Sequence, residues 1–242
     1  MKKTTLRLSA AVMAAFLLFA CQKEMSTSDA DAASQLSSGS ANARIAVSPT
    51  PCGMFRTQTQ GGWGATPNGN NPGVYLHANF AAAFGSSLTV GCYPGNYYVK
   101  VTSATEITNL LPIGGGASVL SANYTDPSSL KNVLVGQLIS VKLSVGFDAY
   151  DANFSPSNVA LGDMVIGSGA FQGKSVSEFI AIADKVLGGC SSDYSVQDVL
   201  TTATSINENF DNGTTNNGYL TCPVDGGGGS SSSSDPANQP SA

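Results

Sequence analysis

Apolar residues recur every three or four positions in five stretches of the chain, a spacing that places them on one face of an α-helix. The first stretch runs from Val74 to Phe84, and Gly85 follows it as a residue that favours a helix end. Its apolar face contains Leu76, Phe80 and Phe84. The hydrophobic pattern therefore predicts a helix over this stretch and four more after it.

Residues that favour helix boundaries mark the four later helices. Their predicted caps are Ser103, Asp126, Ser175 and Ser195. A glutamate follows Ser103 and Ser175 by three residues, which is the spacing of a capping box, and Pro127 after Asp126 favours the first turn of the longest helix. The predicted ends lie before Pro112, after Val145, at Gly188-Gly189 and at Asn212-Gly213.

Three short runs rich in β-branched or aromatic residues alternate with the helices: Leu88–Val90, Tyr98–Val101 and Met164–Ile166. The fold class we predict is mainly α with short β-hairpins (α+β), in one compact helix-rich domain over residues 46–224. A strand, a capping-box helix and a longer helix follow each other in 88–150 and again in 161–212. This order suggests an internal repeat, although helix caps alone could produce the same pattern.

The beginning of the chain has the pattern of an export signal. Basic residues precede an apolar run from Ala10 to Ala20, which is too short to span a membrane. The run ends in Leu18-Phe19-Ala20-Cys21, which resembles the lipobox of bacterial lipoproteins. We therefore expect residues 1–20 to be removed and Cys21 to be lipidated, with an ordinary secretory signal as the alternative. We expect no later segment to be long and apolar enough to be a membrane-spanning helix.

The residues after Cys21 bear on localisation. No aspartate follows Cys21 directly, which favours the outer membrane over the inner, and Lys23-Glu24 resembles the surface-export signal of Bacteroidetes-type lipoproteins. Two charges in a solvated tether are the alternative, so the cell surface and the periplasmic face both stay open. By composition, residues 21–45 are predicted to be a flexible tether and 225–242 a disordered Gly/Ser tail.

Charge excludes one class of partner. The chain after residue 20 carries eight basic and sixteen acidic side chains, a formal net charge of −8. An acidic surface poor in lysine cannot displace counterions from phosphates. We therefore expect no nucleic-acid partner.

Four cysteines remain after Cys21: Cys52, Cys92, Cys190 and Cys222. An even number in an exported chain predicts two disulfides. The closest two cysteines are 32 residues apart, which is not the spacing of a zinc site. Of the three connectivities, we favour an outer 52–222 pair and an inner 92–190 pair, because Cys52 and Cys222 lie at the edges of the patterned region.

Catalytic and metal patterns are weak. The only histidine, His77, lies within a predicted apolar helix, and no nucleophile elbow accompanies it. Glu106 and Glu178 are accounted for as capping-box partners. Oxygen ligands for Ca²⁺ could come from Asp148, Asp151 and Asn153, but turn chemistry explains the same residue types and is favoured. We expect no other cofactor, and the balance leans away from an enzyme.

Three segments resemble a module of bacterial surface and secreted proteins that begins with a Thr-Gln-Gly-Tyr-Trp-like element. They are Thr59–Trp63, Leu88–Gly91 and Gln137–Leu143, within a resemblance that covers most of residues 52–213. The module has an aromatic residue where this chain has Gly62, and it usually has a basic residue where this chain has Gly64. The resemblance implies an extracellular setting without a defined activity.

Trp63, the only tryptophan, can be interpreted in two ways. Its indole could be a flat platform for a sugar whose hydroxyls bind nearby amides, or it could be buried over the helices; we favour burial. The candidate ligand-binding residues are Gln58, Gln60, Trp63, Asn70 and His77. The sequence thus predicts a lipid-anchored binding or adhesion module for a glycan or a surface protein. An envelope glycan hydrolase and a structural envelope component are the alternatives.

Overall fold

The computed structural model describes residues 52–223 and confirms the predicted fold class, mainly α with short β elements. The helices are α1 Gln60–Trp63, α2 Pro72–Phe84, α3 Ala104–Leu110, α4 Val133–Tyr150, α5 Val176–Leu187 and α6 Val196–Asn209. The strands are β1 Leu88–Gly91, β2 Tyr98–Val101, β3 Tyr124–Thr125, β4 Val165–Ile166 and β5 Leu220–Thr221. A 3₁₀ turn spans Leu161–Asp163. The signal, Cys21, the tether and the tail lie outside the described residues.

Helix α4 is the centre of the core because it is apolar on nearly all sides. Ten of its eighteen residues are buried, and α1, α2, α5, α6 and β1 pack around it. By length and composition it could cross a membrane, the one such helix within 52–223. Our expectation that no later segment is long and apolar enough to cross a membrane was therefore wrong. A buried core helix passes the same test of length and composition.

The predicted caps form at three of the four later helices. Ser175 and Glu178 make the full capping box: the Ser175 hydroxyl accepts from the Glu178 amide at 3.1 Å, and the Glu178 carboxylate accepts from the Ser175 amide at 2.8 Å. Ser103 and Ser195 each accept from one amide in the first turn, at 3.2 and 3.0 Å. These local bonds fix where α3, α5 and α6 begin.

The predicted cap at Asp126-Pro127 was wrong. Helix α4 begins at Val133, and Asn132 caps it by accepting from the Leu134 amide at 3.2 Å. Asp126 has a left-handed backbone (φ 49°), and its carboxylate instead accepts from the Thr102 amide and hydroxyl at 2.8 and 2.6 Å. A residue type that favours helix caps thus bonds the chain just after β2 and does not cap a helix.

The strands form two small sheets. Strands β1 and β2 are an antiparallel hairpin with β3 parallel to β2, whereas β4 pairs with the distant β5. The element order predicted for the two halves is present, but their strands pair differently. The internal repeat stays a prediction.

Both disulfides have the predicted connectivity. Cys52 pairs with Cys222 (Cα–Cα 5.9 Å) and Cys92 with Cys190 (Cα–Cα 6.3 Å). The first joins the start of the described chain to the segment just after β5, and the second joins the end of β1 to the end of α5. At this second junction the backbones come so close that a Cβ on Gly188 would overlap the backbone of Cys92.

Lys142 and Asp184 form an ion pair that links α4 and α5. The Lys142 ammonium also donates to the Thr89 carbonyl at 2.7 Å, and the Asp184 carboxylate accepts from the Gly91 amide at 2.9 Å. Burial raises the pKa of Asp184 although Lys142 opposes the rise. The pair thus holds β1 against both helices.

Candidate functional site

A pocket of about 310 Å³ opens between four parts of the chain. These are the segment Arg56–Trp63, the beginning of α2, Phe154 in the loop after α4, and Asn212 after α6. Five of the side chains that line it are amides: Gln58, Asn70, Asn71, Asn79 and Asn212. We call it the amide pocket, and it contains three of the five predicted ligand-binding residues.

Thr57 fixes the side of the pocket that comes from the beginning of the domain. Its amide donates to the Phe210 carbonyl at 3.0 Å, its carbonyl accepts from the Asn212 amide at 2.9 Å, and its hydroxyl accepts from the Phe210 amide at 3.0 Å. Thr57 itself is fully buried. Its two neighbours, Arg56 and Gln58, are therefore held beside Asn212 although they are far from it in sequence.

The floor of the amide pocket is aromatic. The Trp63 ring is stacked on Phe154 with centroids 6.2 Å apart and an interplanar angle of 16°, and the Tyr75 ring lies 5.2 Å from Phe154. The indole nitrogen of Trp63 donates to the Ser144 hydroxyl at 3.4 Å. Because Trp63 has no exposed surface, it supports the floor from below and is not an open platform for a sugar.

The amides that line the pocket differ in how far they are already bonded. Asn71 caps α2, accepting from the Val74 amide at 3.1 Å and donating to the Thr66 carbonyl at 2.7 Å. The side-chain amide of Gln58 donates to the side-chain oxygen (Oδ1) of Asn212 at 3.2 Å. Asn70 and Asn212 are exposed. These two side chains offer amide groups to a ligand in the pocket.

Arg56 contributes the positive charge of the amide pocket. Its guanidinium carbon lies 5.5 Å from the centroid of the Phe154 ring. Its Nε is buried and has no hydrogen-bond partner among the described residues. No carboxylate lines this pocket. The cation is thus held by an aromatic face rather than by a counter-charge.

Tyr75 contributes a hydroxyl that is not free to act as a base. It donates to the Asp151 carboxylate at 2.9 Å. Burial raises the pKa of Tyr75 far above its ordinary value, and the bond to Asp151 adds to the rise. The bond from the Asn153 amide lowers the pKa of Asp151, and the bond from Tyr75 lowers it further. The tyrosine therefore stays protonated at neutral pH.

Two of the predicted ligand-binding residues lie elsewhere. Gln60 is buried, and its side-chain carbonyl accepts from the Ile113 amide at 2.9 Å, so it stabilises the loop after α3. His77 is exposed on α2, with its Nε2 3.0 Å from the Thr108 hydroxyl of α3. It borders a separate shallow depression beside the beginning of α3. Neither residue lines the amide pocket.

The candidate Ca²⁺ ligands are engaged with the protein itself. Asp148 accepts from the Leu161 amide at 2.6 Å, and burial raises its pKa. Asp151 accepts from Tyr75 and from the Asn153 amide, the latter at 2.9 Å. Within residues 52–223 no group of three or more His, Cys, Asp or Glu side chains is placed to hold a metal ion. The arrangement matches the turn chemistry favoured from the sequence.

Several pocket residues were not predicted. On α2, Asn71, Tyr75 and Asn79 recur at four-residue spacing, and this could have indicated a shared face. Arg56, Phe154 and Asn212 come together only through long-range packing, for which the local sequence carries no signal.

Comparison of the chain with models of known protein families, with curated proteins and with solved structures finds no match.

Proposed function

We propose that this chain is a lipid-anchored protein of the bacterial cell envelope whose domain binds a small polar ligand, a sugar unit, in the amide pocket. The observation that carries the proposal is the combination of the half-buried Tyr75 ring, which lies against Phe154, with the amide groups that line the pocket. Sugars present apolar ring faces and many hydroxyls, which such a site can contact and hydrogen-bond. Pockets for small molecules begin at about 300 Å³, so the volume suits a single sugar unit.

The chemistry of the pocket favours binding over hydrolysis. Glycoside hydrolysis uses a pair of carboxyl groups flanking the scissile bond, and neither aspartate nor glutamate lines the amide pocket. Burial and, to a smaller extent, the bond to Asp151 raise the pKa of Tyr75, which keeps it protonated. A ligand that enters would meet hydrogen-bonding groups and one cation, but no general base. This supports a binding module over the alternative of an envelope glycan hydrolase.

The proposal of a lipid anchor rests on the sequence alone. The lipobox-like run before Cys21, the absence of aspartate after it and the resemblance of 52–213 to a secreted module support placement at the outer membrane. The module would then meet glycans or surface proteins and no nucleic acid. A purely structural envelope component is the remaining alternative, and an occupied pocket would argue against it.

Filling the pocket should abolish binding without unfolding the protein. Ala78 is exposed on α2 and lines the pocket. We expect Ala78→Phe to weaken sugar binding by roughly tenfold or more, which corresponds to about 1.4 kcal/mol of lost contact. Binding is measured through the fluorescence of Trp63 as the purified protein is titrated with a panel of neutral and acidic sugars.

The matched control is Ala82→Phe, at an exposed position one turn further along α2 and outside the amide pocket. It should bind like the wild-type protein, and both variants should melt within a few degrees of it. Equal binding by the two variants would remove the pocket from the proposal. A panel in which no sugar gives a saturable signal would remove the sugar.

The anchor is tested separately by Cys21→Ser. Each buried methylene of an acyl chain contributes about 0.8 kcal/mol to membrane binding, so losing the acyl chains should release the protein. We expect the wild-type protein in the membrane pellet and the variant in the soluble fraction after cell fractionation. A variant that still sediments with membranes would contradict lipid anchoring at this cysteine.

A further inference from the structure

We propose that the ligand of the amide pocket is an acidic sugar unit, whose carboxylate Arg56 binds. The inference rests on the proposed function and names the chemical class of the ligand. It begins from Arg56, a cation that lines the pocket and has no ion pair among the described residues.

Arg56 differs from Lys142, the cation that links α4 and α5. Lys142 is paired with Asp184 and also donates to a backbone carbonyl. Arg56 has no ion pair among the described residues, and its Nε is buried without a hydrogen-bond partner. An unsatisfied buried donor is costly. Because Arg56 also lines the pocket, an anion bound there would supply the counter-charge that the described residues do not.

The geometry prepares the guanidinium for a planar anion. Phe154 lies 5.5 Å from the guanidinium carbon, and the Arg56 amide donates to the Ser155 hydroxyl at 3.1 Å, which fixes the backbone beside that ring. A guanidinium carries its donors at the edge of a plane and pairs with a carboxylate through two parallel bonds. The exposed amides of Asn70 and Asn212 then remain for sugar hydroxyls.

The charges of the pocket and of the chain favour a ligand with one carboxylate over a ligand with more negative charges. Arg56 is the single cation that lines the pocket. The chain as a whole has a formal net charge of −5, so a phosphate or a densely sulfated glycan would be repelled more strongly than a singly charged sugar. A uronic acid or another sugar with one carboxylate fits this balance.

The test compares each acidic sugar with its own neutral form. The probes are D-glucuronate, D-galacturonate and N-acetylneuraminate, their methyl esters, acetate, and an N-acetylated tripeptide with a free C-terminus. We expect the purified protein to bind at least one acid roughly tenfold to a hundredfold more tightly than its ester, the range that charge-assisted hydrogen bonds contribute. Calorimetry and Trp63 fluorescence both report the affinity.

Variants assign the effect to the guanidinium. Arg56→Gln should reduce affinity for the acid more than affinity for the ester, so that the ratio of the two affinities approaches one. Arg56→Lys keeps the charge but not the planar fork, and it should recover part of the loss. The control, Lys185→Gln, removes an exposed cation outside the pocket with the same change in net charge and should leave binding unaltered.

The outcomes separate this inference from the proposed function. Equal binding of acids and esters would overturn the carboxylate while sparing a neutral-sugar site. Binding of acetate or of the tripeptide as tight as that of the acidic sugars would overturn the sugar. No saturable binding of any sugar would overturn both proposals. An acid preference that survives in Arg56→Gln would overturn the role of Arg56.

Discussion

Replacing Trp63 with alanine should lower the free energy of unfolding by about 3–5 kcal/mol, the range for removing a fully buried large aromatic side chain. The indole is unexposed, stacks on Phe154 and lies 5.2 Å from the ring of Phe147 in α4. At roughly 2–4 °C per kcal/mol for a domain of this size, the Tm should fall by roughly 6–20 °C. Circular dichroism or calorimetry would measure the change.

Two comparisons make this result specific to burial. Tyr93, which is 62% exposed, is the control: Tyr93→Ala should stay within about 1 kcal/mol of the wild-type protein. Trp63→Phe keeps an aromatic ring and should cost less than Trp63→Ala. The wild-type emission should be blue-shifted and poorly quenched by acrylamide. A Trp63→Ala protein that melts like the wild type but loses its ligand would mean that the indole is a binding platform after all.

Local patterns predicted the helices because the bonds that begin a helix lie within one turn of it. Ser175 and Glu178 are the clearest case, since both bonds of the capping box join residues three apart. Asp126 shows where such logic ends. Its carboxylate could have capped the helix that follows. It instead accepts hydrogen bonds from Thr102, which lies 24 residues away in the sequence. Nothing local distinguishes those outcomes.

The amide pocket could be predicted only in part for the same reason. Gln58, Trp63 and Asn70 were candidates because they are polar or aromatic and close in sequence to one another. Arg56 meets the same criterion, since it lies two residues before Gln58, but it was not among the candidates. Asn212 was not predicted because Thr57 brings that segment to the pocket through bonds across more than 150 residues. Gln60 was included by its proximity to Trp63, but on the short helix α1 its side chain is buried and bonds Ile113.

Gly62 and Gly64, on either side of Trp63, have structural reasons in this fold. A Cβ on Gly62 would lie 2.7 Å from the side-chain oxygen of Gln58, a residue of the amide pocket. A Cβ on Gly64 would overlap the backbone of Leu111. Larger residues at these positions would displace the loop after α3 or Gln58. The position of Gln58 in the amide pocket therefore depends on Gly62.

Removing the Cys52–Cys222 disulfide should be the other large loss of stability. The bond joins residues 170 apart, and the chain-entropy model gives about 5 kcal/mol for a loop of that length, with typical measured values of about 2–4 kcal/mol. The double variant Cys52→Ser/Cys222→Ser should therefore unfold at markedly lower denaturant concentration. Equilibrium unfolding of the unreduced protein measures the difference.

The matched comparison is Cys92→Ser/Cys190→Ser, whose disulfide joins residues 98 apart. The logarithmic dependence on loop length makes its expected loss nearly as large, so location must distinguish the two. Cys52 lies four residues before Arg56, and its carbonyl accepts from the Asn158 amide at 2.9 Å. Under conditions where both variants remain folded, only the loss of the 52–222 bond should also weaken sugar binding. Equal binding by both variants would mean that Thr57 and its bonds to Phe210 and Asn212 hold Arg56 in place without the disulfide.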